Sequence, residues 1–313
     1  MKEILVADGL SKKGIKVLTD GGNRVENNSK IDPQELLNEI PKYSALIVRG
    51  RTKVTAEVIR QGTSLIVVGR AGVGVDNIDL DAARKANIIV VNSPTATSIA
   101  VAELTIGLML AQARMIPTAD TSLKNGLWEK TSFTGSELCG KTLSLLGLGN
   151  IGREVASRAV AFGMKIVAYD PALDESEIKR RGATPVTLSQ ALQKADYLSL
   201  HLPLNEKTRG LIGTEQLSQM KKGSRIICLA RGGIVDEVAL KKALDENHLA
   251  GAALDVFSNE PVEKNSIATH PKVTATPHIG AQTKEAQERA SIAIAEEIVA
   301  ALEDKSLRWQ VKY

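Results

Sequence analysis

The sequence predicts an α/β protein carrying two doubly wound parallel sheets, and three observations predict it. Short apolar runs alternate with amphipathic stretches along nearly the whole chain. A Gly147-x-Gly149-x-x-Gly152 turn sits between one such run and the helical pattern that follows. The alternation breaks at Ser93-Pro94-Thr95 and resumes beyond it. Strands buried on both faces read as continuous apolar runs, and strand–helix alternation builds parallel sheets with helices on each side.

In the first third, Ile4–Ala7, Ala45–Val48, Leu65–Val68 and Ile88–Val91 are expected as strands. Helices are expected near Lys12–Thr19, Pro33–Ile40, Thr55–Arg60 and Leu80–Lys85. This part has its own apolar core and no complete glycine fingerprint, so it forms a separate, smaller domain. A long helix is expected from Ser98 to Thr118, with Ser98 as its cap. Val101, Leu104, Leu108, Met109 and Ile116 cover more than one of its faces, which buries it between domains or subunits.

Lys141 to Pro171 then reads as one βαβ unit. Thr142–Leu146 is a strand, Ile151, Val155, Ala159 and Phe162 recur at helical spacing, and Lys165–Tyr169 is a second strand. Gly147 permits the tight turn, Gly149 admits a pyrophosphate to the backbone, and Gly152 allows helix and strand to pack closely. The helix N-terminus offers its unpaired N–H groups and positive dipole end to the phosphates. Asp170 follows at the roughly 20-residue spacing of the acid that accepts the ribose hydroxyls, which favours NAD over NADP. Beyond it, Asp196–Leu200, Arg225–Leu229, Gly251–Leu254 and Val273–Ala275 are expected as strands. Glu175–Arg181, Leu188–Gln193, Thr214–Met220, Glu237–Asp245 and Lys284–Glu303 are expected as helices. The last helix returns to the first domain. Residues 1–94 with 282–313 are therefore expected to form a substrate domain, and 95–281 a cofactor domain. The chain crosses between them near Pro94 and Ala281, a natural hinge whose closure excludes water.

Composition narrows the function. Among 313 residues, 43% are hydrophobic and 24% charged, and the net charge of +4 is dispersed, so neither nucleic acid nor a membrane surface is implied. No stretch reaches a membrane span and the N-terminus lacks a signal segment, so a cytoplasmic setting is expected. Cys139 and Cys228 lack metal-ligand spacing and are expected to be inert core residues; no metal is implied.

A nicotinamide site needs a proton acceptor and an anchor for a carboxylate. Of the four histidines, His201 and His278 both follow strands and are candidates; His248 is expected to be exposed and His270 to cap or solvate a loop. Glu260 can tune the acceptor. Arg231, heading Arg231-Gly232-Gly233 after a strand, can offer its fork to a carboxylate. Gly72-Val73-Gly74 can present amides to an anion, and Arg49 and Arg51 suit a substrate phosphate.

Together VRGRTKVTAEVI (48–59), VVGRAGVGVDNIDLDAA (67–83), VAELTIGLML (101–110), LLGLGNIGREVA (145–156), LARGGIVDE (229–237), GAALDVFSNEP (251–261) and TPHIGAQTKEAQ (276–287) resemble the D-isomer-specific 2-hydroxyacid dehydrogenase family. The resemblance implies a Rossmann NAD-binding domain inserted into a flavodoxin-like substrate domain, and a homodimer, or a tetramer, held through the Ser98–Thr118 helix. It implies that His278 is the general acid/base, Glu260 its partner and Arg231 the holder of the substrate's carboxylate and carbonyl oxygen. It assigns Val73, Asn150, Ile151, Asp170, Leu202, Pro203, Leu229, Ala230, Asp255, Gly280 and Ala281 to the cofactor, beside the glycine loop. It assigns Arg49, Arg51, Gly72, Val73, Gly74 and Thr97 to the substrate.

The reaction it implies is the NAD-dependent oxidation of 3-phospho-D-glycerate to 3-phosphohydroxypyruvate, an entry to serine synthesis. Glyoxylate or hydroxypyruvate reduction, or an NAD-sensing co-repressor on the same scaffold, are the alternatives. Thr97 departs from the family's Gly-Asn-Ser pattern at residues 96–98, where an asparagine helps orient substrate. With its end at Tyr313, no serine-sensing regulatory domain, and hence no feedback through one, is expected.

Overall fold

A computed structural model describes residues 1–312. In chain order the strands and helices begin with β1 (Glu3–Val6), α1 (Lys12–Asp20), β2 (Arg24–Asn27), α2 (Pro33–Glu39), β3 (Ala45–Val48), α3 (Ala56–Gln61), β4 (Val67–Arg70), α4 (Leu80–Lys85) and β5 (Ile89–Asn92). There follow α5 (Ser98–Arg114), α6 (Ile116–Lys124), β6 (Thr142–Leu146), α7 (Asn150–Ala161), β7 (Lys165–Tyr169), α8 (Glu175–Arg180) and β8 (Thr184–Pro185). The remainder is α9 (Leu188–Lys194), β9 (Tyr197–Leu200), α10 (Thr214–Gln219), β10 (Arg225–Cys228), α11 (Glu237–Asp245), β11 (Gly251–Leu254), β12 (Val273–Ala275) and α12 (Lys284–Leu302). Two compact units result, residues 1–98 with 281–313 and residues 99–280.

The first unit is a five-stranded parallel sheet in the order β2-β1-β3-β4-β5, the flavodoxin-like arrangement. Its central strands are buried because every residue of β3 is apolar and points to one covered face or the other. α12 seats against this sheet where side chains are absent: a Cβ on Gly69 would come within 2.9 Å of Ile294 and Ile298. Beyond α12 the chain turns back along β5, with Val311 N–H donating to the Val90 carbonyl. Buried Glu297 fixes that return, accepting hydrogen bonds from the backbone N–H groups of Arg308 and Trp309 and from the Arg308 guanidinium.

The second unit is a seven-stranded parallel sheet, β12-β11-β10-β9-β6-β7-β8. Strand order reverses between β6 and β9, which places the ligand crevice of such a sheet at their carboxyl ends. Gly147 follows β6 and His201 follows β9, so both stand at that switch point.

Three sequence expectations are corrected. The helix drawn to Thr118 ends at Arg114, and α6 leaves it at 63°, with Met115 between them in the left-handed region. Pro117 has no N–H for the Ala113 carbonyl, which accepts from Ser136 N–H instead. Ser98 does not cap α5: its Oγ is buried without a hydrogen-bond partner. Strands β2 and β8 were not expected; both are edge strands with mostly exposed, polar or short sequences. Among the described residues no single helix is long and apolar enough to cross a membrane, although the bent α5–α6 pair passes on length and composition.

Candidate active site

The glycine turn has the shape a dinucleotide needs. Gly147 adopts φ 92, and a Cβ there would stand 2.5 Å from the His201 carbonyl oxygen. A Cβ on Gly152 would meet the Gly147 carbonyl oxygen at 2.3 Å, so α7 can approach the turn only with glycine there. At Gly149 nothing lies within 4 Å of a built Cβ, leaving open space beside the backbone. Gly149 is the N-cap of α7 and no side chain caps the helix, so the first amides beyond it, at Asn150 and Ile151, keep their donors for an anion. Asp170 lies just past β7: its Oδ2 accepts from Leu148 N–H at 2.8 Å and its Oδ1 from Ala172 N–H at 3.0 Å. Each oxygen retains a lone pair for a ribose hydroxyl. These residues fit NAD.

On the same edge of the sheet, the segments after β11 and β12 bring an imidazole and a carboxylate together. Glu260 Oε2 lies 2.7 Å from His278 Nδ1, while Glu260 Oε1 accepts from Phe257 N–H at 3.0 Å. The carboxylate is therefore fixed by the backbone before it meets the imidazole. It selects the tautomer with hydrogen on Nδ1, which leaves a lone pair on Nε2 to accept a proton. His278 is half exposed and Glu260 is 37% exposed at the side chain, so a ligand can reach the ring.

His278 has φ 52, a conformation that costs a non-glycine residue on the order of 1 kcal/mol or more. Asp255 holds it there. This buried carboxylate accepts from Thr276 Oγ1 at 2.6 Å, Ile279 N–H at 2.8 Å and Gly280 N–H at 2.8 Å. Phe257 and Thr276 were not singled out from sequence, and nothing in their own neighbourhood signals the role. Asp255 was expected at the cofactor; in the structure its carboxylate holds this turn.

Arg231 follows β10, with its Nη1 on the Ala230 carbonyl at 2.7 Å. The turn after it packs against the backbone of the Glu260 loop: a Cβ on Gly232 would overlap the Phe257 carbonyl oxygen at 1.8 Å. Glycine there permits that close approach. Leu229 and Ala230 are buried, Leu202 is half-buried and Pro203 exposed. Ala281 begins the return to the first unit.

In the first unit, Asp8 organises the loop that carries the two arginines. Its nearly buried carboxylate accepts from Arg49 N–H at 2.6 Å, Thr52 N–H at 3.1 Å and Thr52 Oγ1 at 2.6 Å. Asn77 donates to the Arg49 and Thr52 carbonyls. The two side chains differ. Arg51 is engaged with Asp8, the Ile31 carbonyl and the Ala7 carbonyl, so its fork serves the fold. Among the described residues the Arg49 guanidinium has no ion-pair or hydrogen-bond partner. Within 72–74, Gly72 N–H already donates to the Arg70 carbonyl, which leaves the amides of Val73 and Gly74 for an anion. Asn92 holds the Val73 carbonyl at 2.6 Å. Thr97 is 5% exposed.

The other histidines separate clearly. Burial pushes the His201 imidazole down to about 4, and its Nε2 is hydrogen-bonded to Ser199 Oγ at 2.9 Å. It is a neutral ring at neutral pH and a poor proton carrier. His248, expected to be exposed, is half-buried with Nε2 on the Leu217 carbonyl. His270 staples its loop, accepting from Lys272 N–H and meeting Asp245. Cys228 lies in the core, where burial pushes its thiol up to about 11; Cys139, expected in the core, is exposed because it falls in the turn preceding β6. No group of three metal-ligating side chains occurs among the described residues.

Residues 106–280 match the family model for the NAD-binding domain of D-isomer specific 2-hydroxyacid dehydrogenases. The chain is similar to D-3-phosphoglycerate dehydrogenase of Methanocaldococcus jannaschii, 49% identical over 95% of this chain and 57% of that one. It thus spans somewhat over half the length of the curated relatives it matches. Among solved structures, a glyoxylate reductase from Paecilomyes thermophila is 31% identical with a TM-score of 0.90, covering 99% of this chain and 98% of its own. The NAD+-bound 3-phosphoglycerate dehydrogenase of Entamoeba histolytica is 29% identical with a TM-score of 0.84, covering 100% and 99%. With its sheet orders, its glycine turn and these matches, the chain belongs to the D-isomer specific 2-hydroxyacid dehydrogenase family.

Proposed function

We propose that this chain oxidises 3-phospho-D-glycerate to 3-phosphohydroxypyruvate with NAD, as an entry to serine synthesis. The observation that carries the reading is the His278–Glu260 pair, fixed at 2.7 Å on the cofactor-binding unit with Nε2 left to accept a proton. When bound, NAD supplies the hydride acceptor. His278 Nε2 takes the proton of the substrate's C2 hydroxyl, and in the reverse direction the imidazolium returns it to the carbonyl oxygen. Glu260 stabilises the imidazolium while that proton is held, and its bond from Phe257 N–H keeps it aligned.

Arg231 holds the substrate carboxylate by its fork. Arg49, whose guanidinium has no ion-pair or hydrogen-bond partner among the described residues, binds the phosphate, which is why the phosphorylated acid is preferred over glyoxylate or hydroxypyruvate. Exposed Ile116, Leu123, Leu127 and Trp128 on α6 and the loop after it support a homodimer.

The test is NADH formation by the purified protein with 3-phospho-D-glycerate, set beside NADH consumption with glyoxylate and with hydroxypyruvate. The highest kcat/KM is expected for the 3-phosphoglycerate/3-phosphohydroxypyruvate pair. A higher value for either unphosphorylated acid assigns the reductase reading. Binding of NADH without turnover of any of the three assigns an NAD-sensing protein.

A further inference from the structure

The fingerprint accounts for Asp170 and the three glycines, yet a further side chain reaches the turn from outside that pattern. Arg181 caps the carboxyl end of α8 and directs Nη1 to the Leu148 carbonyl oxygen at 2.6 Å. Its Nε donates to Glu177 Oε1 at 2.5 Å. Glu177 is held in turn by the α8 N-cap, since Asp174 accepts from Glu177 N–H at 2.8 Å. The guanidinium groups of Arg181 and Arg180 keep the Glu177 carboxyl below the ordinary carboxylate range.

The two grips on Leu148 act on successive peptide planes. Asp170 accepts from Leu148 N–H and so fixes the Gly147–Leu148 peptide. Arg181 binds the Leu148 carbonyl and so fixes the Leu148–Gly149 peptide, whose N–H belongs to Gly149. That N–H is the donor at the point where the turn is open to a ligand, with nothing within 4 Å of a built Cβ. Glycine makes rotation of this peptide easy, because φ at Gly149 is unrestricted by a side chain. The Leu148 side chain, fully buried, anchors the turn but leaves that rotation available.

We infer that Arg181 is a positioning residue for the dinucleotide turn, holding the Leu148–Gly149 peptide so that Gly149 N–H faces the cofactor's diphosphate. The inference rests on the NAD-binding reading for its ligand, while the peptide's restraint stands without it. The contact is a charge-assisted hydrogen bond from a half-buried guanidinium to a buried carbonyl, and its loss weakens cofactor binding by roughly tenfold.

Three variants separate this from a general structural role. Arg181→Met removes the contact, Arg181→Lys keeps a cationic donor at the site, and Arg180→Met removes the other partner of Glu177 without touching the turn. Calorimetric titration with NAD should show Arg181→Met weakened about tenfold, Arg181→Lys recovering most of the loss, and Arg180→Met within about twofold of the parent. In the NAD-free protein, amide exchange at residues 147–150 should quicken in Arg181→Met alone, an arm that does not depend on which cofactor binds. Equal weakening by Arg180→Met, no weakening by Arg181→Met, or unchanged exchange in Arg181→Met would each overturn the assignment.

Discussion

Asp255→Ala is the perturbation that probes the site's construction most deeply. The parent carboxylate is 1% exposed and accepts three hydrogen bonds at 2.6, 2.8 and 2.8 Å. Hydrogen bonds to a charged group contribute about 1.5–3 kcal/mol each, and a buried donor left without a partner costs a further share. Ile279 is 38% exposed, so water replaces part of its loss, whereas Gly280 is buried and its N–H is left without an acceptor. The total comes to roughly 4 kcal/mol, reduced a little because His278 escapes its left-handed conformation. For a unit of this size each kcal/mol lowers Tm by about 2–4 °C, so a fall of roughly 10 °C is expected. Turnover should drop by about 10²-fold as well, since an imidazole displaced by about 1 Å loses that much. Thermal unfolding and initial-rate NADH formation measure the two effects. A Tm within about 2 °C of the parent, with turnover retained, would refute the reasoning that Asp255 holds the histidine turn.

Arg49 and Arg51 should part company. Arg49→Ala should chiefly raise KM for the phosphorylated substrate with little change in Tm, whereas Arg51→Ala should lower Tm because it releases Asp8 and two backbone carbonyls; steady-state kinetics and calorimetry distinguish them. His201 should make stability acid-sensitive. Its folded pKa, about 4, lies below the ordinary 6.5, so folded and unfolded chains bind protons alike above pH 6.5. Between 6.5 and 4 only the unfolded chain is protonated, so stability falls with pH by up to about 3 kcal/mol, then levels off. Urea unfolding at pH 7 and 5 should show a larger loss in the parent than in His201→Gln, and equal losses would remove His201 as the cause.

How far the sequence could be read followed the range of the forces involved. Strands such as β3, β6 and β10 are apolar runs buried on both faces, and their type and position were legible from composition alone. Edge strand β2, with the sequence Arg-Val-Glu-Asn, carries no such mark because one side meets solvent. The break at Met115 has a local signal in Pro117 two residues later, although apolar residues continue through it. In the site, the glycine turn and Asp170 were legible because their chemistry is local in sequence. Glu260 and His278, 18 residues apart, were paired by resemblance, since no periodicity links them. Asp8 clamps a loop 41 to 44 residues away, and Arg181 reaches Leu148 across 33, so neither could be found without coordinates.

The most direct measurement of the central claim is turnover of 3-phospho-D-glycerate by His278→Ala, with NAD affinity measured on the same preparation. Loss of the acid–base group should lower kcat by roughly 10² to 10⁴, with the NAD dissociation constant near that of the parent. Turnover within about tenfold of the parent would contradict the account, because the proton would then be leaving the hydroxyl by another route.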